Sequence, residues 1–415
     1  MTKLRLEQAP VASLPRRFLL TAPLWGMLAG VLLGIDGDAA LVSRWNPATL
    51  ALVHMFVLGV LGNVMFGSVL QFLPAAGGVQ LRGGARLGQA LHLLFNLGVT
   101  LLVAGLQQSW PSALLAAAVL LPLAFATLAA MVVPGLVGAT GQRLLRAGFA
   151  VAIGFALATA LLGAALALVR GGYLHLVAAA LTDVHASWGV LGWVVVLMAT
   201  VARVVMPMFQ GTGTVPELAQ AAWLASVVVL LALAAWLRLE ASGPWLAVVV
   251  GVHALLFAGA ALWLQWRAPR LRRAPLSNNW RAGLSVLALA ALLLPVLPGG
   301  MLAGALGLVI ALPLLVTGMA LEIVPFIGWI ELHRRCGRGT QVPGVQRLLP
   351  AADKRRVLLV QLSLLLLPAA VLWPGIGLSR AAGVALLLIW AEVGWTLLGV
   401  RRRAHHFLRR LETPR

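Results

Sequence analysis

The amino-acid sequence predicts an all-α polytopic membrane protein with about twelve transmembrane helices. Of its 415 residues, 61% are hydrophobic and only 10% are charged, a composition more apolar than a soluble domain of this length carries. Apolar runs of about 20 residues, the length needed to cross the hydrocarbon core, recur along the chain between short polar or basic segments. Lipid is therefore the expected solvent for most of the surface.

Each predicted transmembrane helix is an apolar run that is bounded by glycine, proline, arginine or another charged residue. The first span begins at the Arg16–Arg17 pair, and the last ends directly before Arg401. The tenth span is long enough to continue past the membrane. We therefore expect a single transmembrane domain over residues 1–415. In chain order, the twelve predicted spans cover residues 17–35, 47–73, 86–107, 111–134, 145–168, 180–207, 218–238, 244–266, 280–298, 300–332, 354–374 and 379–400.

The distribution of Lys and Arg predicts the orientation of the helices, because cytoplasmic loops hold the excess of positive charge. Basic residues collect in alternate loops, whereas the opposite loops carry acidic residues, among them Asp36, Asp38 and Asp183. The alternation breaks only after span 6, where Glu217 lies. An even number of spans follows, with both termini in the cytoplasm of a bacterial-type inner membrane.

The formal net charge of +20 raises the question of a nucleic-acid partner. The 31 Lys and Arg residues, however, lie in short clusters between apolar runs. The arginines at 401–403 directly follow an apolar segment, which favours contact with anionic lipid. The sequence therefore predicts the lipid bilayer, and not nucleic acid, as the partner. The single cysteine, Cys336, excludes an intramolecular disulfide and a multi-cysteine zinc site.

Three spans share an ending that the other spans lack, and this ending predicts an internal repeat. Pro74, Pro207 and Pro325 lie at or near the ends of spans 2, 6 and 10, each beside aromatic or aliphatic residues. The prolines are four spans apart each time, which suggests three four-helix repeats. The repeats would cover residues 17–134, 145–266 and 280–400. Small residues that allow close helix approach lie seven positions before each proline, at Gly67, Thr200 and Gly318.

Ionisable side chains inside the spans are the functional candidates, because the sequence has no nucleotide-binding loop and no pattern of a nucleophile with its base. His54 in span 2 and His185 in span 6 lie within about 10 Å of the external edge of the hydrocarbon. His253 in span 8 can reach the same layer. Neutral imidazole commonly ligates haem iron and copper, so these residues are candidates for a metal or haem site. The alternative is three unrelated histidines that form hydrogen bonds between helices.

Other candidates lie nearer the membrane surfaces. His92 begins span 3 at the cytoplasmic face and is expected to be solvated. Met301 is the first methionine of span 10, where it is either a thioether ligand or an ordinary core or lipid-facing methionine. Arg203 and Glu322 occupy similar depth in the proposed repeats, where they either pair or Arg203 reaches to the interface. Glu392 in span 12 is either a proton-handling group or a partnered structural carboxylate.

The topology and these motifs resemble the catalytic subunit of haem-copper oxidases and the related NnrS-type membrane proteins. The resemblance implies that His54 ligates a low-spin haem and that His185 ligates copper. The chain lacks a histidine pair on span 7, a histidine in the outer half of span 10, and a His-Pro-Glu-Val-Tyr run on span 6, and its only tyrosine is Tyr173. The segments that carry the resemblance are His54 with Gly59, Gly67 and 71–74; His185 with Gly189, Gly192, Trp193 and 207–209; and 322–329 with His333.

The resemblance and the departures together imply a haem- or copper-binding relative that is not a functional terminal oxidase and that takes part in a nitric-oxide or metal response. A redox partner or other membrane subunits are compatible with this interpretation, but the sequence identifies none. Two other functions remain open. A secondary transporter uses the same number of spans and proline-broken helices, but it concentrates polar groups near the midplane. A non-catalytic membrane assembly factor would tolerate replacement of the histidines.

Overall fold

The computed structural model describes residues 7, 9–140, 142–269, 274–297, 299–336 and 339–412. These residues form helices joined by short loops and contain no strand, which confirms the all-α class. A one-turn helix, Val345–Leu348, precedes α11. The long helices are α1 (Ser13–Ala40), α2 (Pro47–Ala75), α3 (Gly84–Gln107), α4 (Pro111–Gly138), α5 (Arg143–Arg170), α6 (Ala178–Gln210), α7 (Glu217–Glu240), α8 (Trp245–Trp266), α9 (Pro275–Leu293), α10 (Met301–Arg335), α11 (Ala351–Leu372) and α12 (Ile376–Glu412).

Eleven of these helices are long and apolar enough to cross a membrane, as expected of a polytopic membrane protein. The exception is α9, because its first turns contain Ser277, Asn278 and Asn279. The predicted end of its span, residue 298, lies outside the described residues. Helix α12 differs most from its prediction, since it continues past residue 400 to Glu412. Arginine is a good helix former, so the helix does not end where its apolar run ends.

The helices follow one another in space largely as they do in sequence, and α1 closes the bundle by packing along α12. Glycine makes this contact unusually close. A Cβ atom at Gly30 would lie 2.5 Å from the backbone nitrogen of Leu387, and one at Gly383 would lie 2.4 Å from that of Gly34. The two backbones therefore touch directly, as small residues permit in membrane helices.

Three helices occupy the interior of the bundle. The apolar windows of α2, α6 and α10 are 78%, 72% and 72% buried, whereas those of the other candidate spans are between 28% and 50% buried. Helix α2 packs on α10, and the rings of Phe66 in α2 and Trp193 in α6 lie 6.5 Å apart. These are the three spans that carry the shared proline ending.

Each inner helix also contains a stretch of wider π-helical turns: Met55–Gly62 in α2, Trp188–Val195 in α6 and Ala305–Ala311 in α10. Such turns are rare and are often found at functional sites, because the extra residue rotates the side chains on either side of it. Sequence reasoning missed them. A Gly-x-x-Gly pattern at residues 59–62, 189–192 and 304–307 accompanies all three and was the available signal.

Candidate metal or haem site

The structure brings His54 and His185 together, as their common depth predicts. His54 directly precedes the π-helical turns of α2, and His185 lies three residues before those of α6. The centres of the two imidazole rings are 6.2 Å apart, and their planes are inclined by 31°. Two inner helices that are far apart in sequence thus present one imidazole each to the same place.

The hydrogen bonds of the two rings determine which nitrogen remains for a ligand. Nδ1 of His54 lies 2.7 Å from the carbonyl oxygen of Leu50, and Nδ1 of His185 lies 3.1 Å from that of Thr159 in α5. Because a carbonyl oxygen only accepts, each Nδ1 carries the proton and donates it. In the neutral imidazole the lone pair is then on Nε2, and neither Nε2 forms a hydrogen bond to any described residue. Histidines that ligate metals are usually held in this way.

The surroundings of His185 contain further polar atoms without a partner. Thr159 Oγ1 and Trp188 Nε1 are buried and form no hydrogen bond within the described part of the chain. The ring of His185 lies against Gly163 of α5, where a Cβ atom would be only 2.7 Å from its Cε1 atom. The site therefore combines two accepting ring nitrogens, the unsatisfied hydroxyl of Thr159 and a glycine that makes room for an imidazole.

An ionic cluster lies near the N-terminal ends of α2 and α6. Asp183, two residues before His185, accepts from Arg44 at 2.9 Å and from Arg238 at 3.0 Å. These contacts join the connection between α1 and α2 to α6 and α7. The cluster is partly exposed, so its contribution to stability is modest. Its geometric effect is to fix the second turn of α6, on which Asp183 and His185 lie.

His253 does not join this pair. It is buried in α8, where its Nδ1 donates to the carbonyl oxygen of Val249 at 2.8 Å and its Nε2 lies 3.0 Å from Ser226 Oγ of α7. Both ring nitrogens are therefore engaged. Within the described residues, no three His, Cys, Asp or Glu side chains are grouped so that they could hold a metal ion. The predicted layer of three imidazoles is reduced to a pair.

His92 and Met301 lie at other places in the bundle. His92 is half-buried between α1 and α3, with its Nε2 2.9 Å from Thr21 Oγ1 and its ring edge-on to Phe18. The expectation of a solvated His92 is wrong, because α3 begins at Gly84 and has completed two turns before this residue. Met301 is the half-buried first residue of α10, and its role as a ligand stays a prediction.

Arg203 and Glu322 do not pair with each other. Arg203 donates to Gln220 at 2.8 Å and to Glu217 at 3.1 Å, both at the start of α7. Glu322 accepts from Lys354 of α11 at 2.6 Å. The structure thus excludes the first of the two alternatives, because equal depth places two residues at one level without deciding which neighbours they face. The contact with Glu217 explains the one break in the charge alternation, since this acid balances Arg203.

Glu392 has partners as well. It accepts from Arg356 Nε of α11 at 2.7 Å and from Thr396 Oγ1 at 2.9 Å. The structure thus gives the partnered carboxylate, the second of the two alternatives left open by the sequence. Charged groups on α10, α11 and α12 are paired at this end of the bundle, where they join helices to each other.

Sequence reasoning missed a buried amide cluster on α1, α2 and α3. The amides of Asn63 and Asn96 bond to each other reciprocally, at 3.0 and 3.1 Å. Trp25 Nε1 donates to Asn96 Oδ1 at 2.8 Å, and the remaining N–H groups donate to the carbonyl oxygens of Gly59 and His92. All four amide N–H groups are therefore satisfied. Two lone asparagines inside apolar spans were the available signal.

No protein-family model matches this chain, and no curated protein matches it. Comparison with known proteins therefore supplies no family and no activity. His54 and His185 are the residues whose geometry points most directly to a function.

Proposed function

We propose that this protein is an integral membrane protein that binds haem or copper through His54 and His185. Its closest functional type would be a relative of oxidase subunit I without a complete oxygen-reducing centre, acting in a nitric-oxide or metal response. The observation that carries the proposal is the pairing of two imidazoles at 6.2 Å, both with Nε2 left without a protein partner among the described residues.

The separation of the rings fits one metal held from opposite sides. A metal–nitrogen bond of about 2 Å places the ring centre about 3 Å from the metal, so two opposed imidazoles have centres about 6 Å apart. Nε2 of His54 and Nε2 of His185 would hold a copper ion or the iron of a haem, because neutral imidazole ligates both metals. When bound, such a group would supply one-electron redox chemistry or a binding position for a small diatomic ligand. The backbone bonds from Nδ1 would orient both rings for it.

The finer topology belongs to the same proposal. We infer that α9 is a twelfth crossing helix, because it packs between α8 and α10. Both termini would then lie in the cytoplasm, beside the arginine-rich loops. Three four-helix repeats are supported by the proline ending, the π-helical turns and the deep burial that α2, α6 and α10 have in common.

The test is an absorption spectrum with metal analysis of the detergent-purified protein, expressed with haem and copper supplied. We expect a Soret band or stoichiometric copper in the wild type, and its loss in His54→Ala and in His185→Ala. His253→Asn is the matched control, because it removes a buried histidine whose nitrogens are already engaged. It should keep the signal of the wild type.

The outcomes separate the alternatives clearly. A colourless and metal-free wild type would refute the proposal and turn attention to transport assays. Loss of the signal in His253→Asn alone, with both other variants retaining it, would move the site to α8. Size-exclusion chromatography of each variant shows whether a lost signal reflects a lost ligand or a misfolded protein.

A further inference from the structure

Helices α1 and α3 lie side by side and are joined by polar contacts that have one constant spacing. The contacting pairs are Thr21 with His92, Trp25 with Asn96 and Asp36 with Gln107. Each pair is 71 positions apart in sequence, and so are the first residues of the two helices, Ser13 and Gly84. Leu14 fills the space that a Cβ atom at Gly88 would need. The two helices are therefore parallel, and a residue of α3 is level with the residue of α1 that precedes it by 71.

Both helices leave one adjoining side uncovered by the rest of the protein. Helix α2 covers the other side, where it contacts Leu19 of α1 and Phe95 of α3. The uncovered side carries leucines that are between 51% and 68% exposed, namely Leu24 and Leu28 on α1 and Leu93 and Leu97 on α3. In each helix these leucines lie about a quarter of a turn from the residues that contact the partner helix. They form the two walls of a lipid-facing groove, which we call the α1–α3 groove.

One arginine from each helix lies at the N-terminal end of the α1–α3 groove. Arg17 is seven residues before Leu24 on α1, so it lies on the same face as the exposed leucines. Arg86 has the same position on α3, seven residues before Leu93. Arg86 is level with residue 15 of α1, so the two arginines differ in depth by about 3 Å at 1.5 Å per residue. Packed helices have axes about 8–10 Å apart, and both guanidinium groups can therefore reach one anion between them.

The positive charge of Arg17 and Arg86 is not balanced by the described part of the protein. Arg17 Nε is buried and forms no hydrogen bond to a described residue, and the charge of Arg17 acts on the neutral ring of His92 in α3. Arg86 is exposed, and the ion pairs among the described residues include neither arginine. The adjacent Arg16 is different, because it forms an ion pair with Glu331 of α10. Arg16 thus joins two helices, whereas Arg17 and Arg86 are suited to an external anion.

We propose that Arg17 and Arg86 bind the phosphate of one anionic phospholipid whose acyl chain lies in the α1–α3 groove, independently of any metal or haem. Guanidinium groups bind phosphate through paired charge-assisted hydrogen bonds, and basic pockets between transmembrane helices bind anionic headgroups. The N-terminal ends of α1 and α3 add partial positive charge at the same level. Arg17 and Leu28 are about 17 Å apart along α1 at 1.5 Å per residue, which is close to the thickness of one leaflet, about 15 Å.

The combination of an apolar groove with two arginines favours an anionic phospholipid over other ligands. A free phosphate would contact the arginines but none of the exposed leucines. Phosphatidylcholine would fit the apolar walls, but its trimethylammonium group would lie beside two positive charges. A phospholipid with a net negative charge complements both the leucines and the arginines.

The experiment measures the apparent unfolding temperature of the delipidated, detergent-solubilised full chain on addition of phosphatidylglycerol, phosphatidylcholine or inorganic phosphate. We expect phosphatidylglycerol to raise this temperature most, and we expect the apparent affinity for this lipid to fall about tenfold or more in Arg17→Gln/Arg86→Gln. The matched control is Arg143→Gln/Arg355→Gln, which removes the same charge from two exposed arginines on α5 and α11. The control should respond like the wild type.

Equal responses of the wild type to phosphatidylglycerol and phosphatidylcholine would overturn the proposal, as would an equal response to inorganic phosphate. The proposal also fails if Arg17→Gln/Arg86→Gln responds to phosphatidylglycerol like the control. If this double variant does not fold, the single variant Arg86→Gln, at an exposed position, must still weaken the response. Native mass spectrometry gives a second measurement, in which the wild type and the control should keep a phosphatidylglycerol adduct that the double variant loses.

Discussion

The histidine pair and the amide cluster lie at opposite ends of the same π-helical turns of α2, yet they differ in how fully their polar side-chain atoms are hydrogen-bonded. His54 directly precedes Met55–Gly62, and Asn63 directly follows it. Both side-chain N–H groups of Asn63 donate hydrogen bonds, one to its own helix and one to α3. The ring of His54 bonds only to its own helix, and its Nε2 has no partner among the described residues. A fully satisfied polar group holds helices together, and an unsatisfied one is available to a ligand.

The largest expected effect concerns His54. A saturating ligand that binds only the folded state stabilises it by about 4 kcal/mol at 1,000 times its dissociation constant. We expect haem or copper to raise the apparent unfolding temperature of the wild type and to have no effect on His54→Gln. The ligand-free proteins should unfold at similar temperatures, because His54 forms no hydrogen bond to another helix within the described residues. A strongly destabilised ligand-free His54→Gln variant would show that the histidine pair, like the amides, stabilises the fold.

Asn63→Leu should show the reverse behaviour. It leaves the buried amide of Asn96 without its reciprocal partner, which costs about 1–3 kcal/mol. We expect a lower apparent unfolding temperature with an unchanged amount of ligand per folded protein. The variant Asn63→Leu/Asn96→Leu should lose less than the sum of the two single variants. Additive losses would show that the two amides are not coupled.

Gly163→Ala should weaken the site without unfolding the protein. The new Cβ would lie 2.7 Å from His185 Cε1 and would displace the ring. Disturbing the support of a ligand typically weakens metal binding by about 10–100-fold, which titration can measure. Gly154→Ala is the control on the same helix, because its Cβ meets no described atom within 4 Å. Equal affinities of the two variants would contradict the assignment of His185.

The smallest effect is expected at Thr159. Its hydroxyl has no partner in the described structure, so Thr159→Val should stabilise the ligand-free protein by up to about 1 kcal/mol. The backbone carbonyl that holds His185 is retained. Thr200→Val is the comparison, since that hydroxyl donates to Val196 and its loss should destabilise the protein. A destabilised Thr159→Val would indicate that the hydroxyl has a partner after all.

Hydropathy and charge were sufficient to predict the class of fold and the approximate positions of the helices. The depth of a residue also follows from sequence, because it depends only on counting from the end of a span. That is why the proximity of His54 and His185 could be predicted. The direction in which a side chain points around its helix depends on packing, and the π-helical turns change it further. Depth alone therefore failed for His253 and for the pairing of Arg203.

Helix ends were the least predictable part of the fold. The apolar run of α12 ends at residue 400, but the arginines that follow favour helix as strongly as leucine does, and the helix continues. The amide cluster was missed for another reason. Asparagine inside a span is uncommon, but only the three-dimensional arrangement shows that Asn63 faces Asn96 and not a water-filled path.

The close contact of α1 with α12 has a consequence for synthesis of the chain. Gly30 of α1 packs against α12, which is the last helix to be synthesised. Ribosomes add about 5–20 residues each second. For tens of seconds the glycine face of α1 must therefore lie against lipid or an insertion factor. The bundle can close only when α12 arrives, so a chain stalled before Ile376 would leave an open edge that quality-control proteases can recognise.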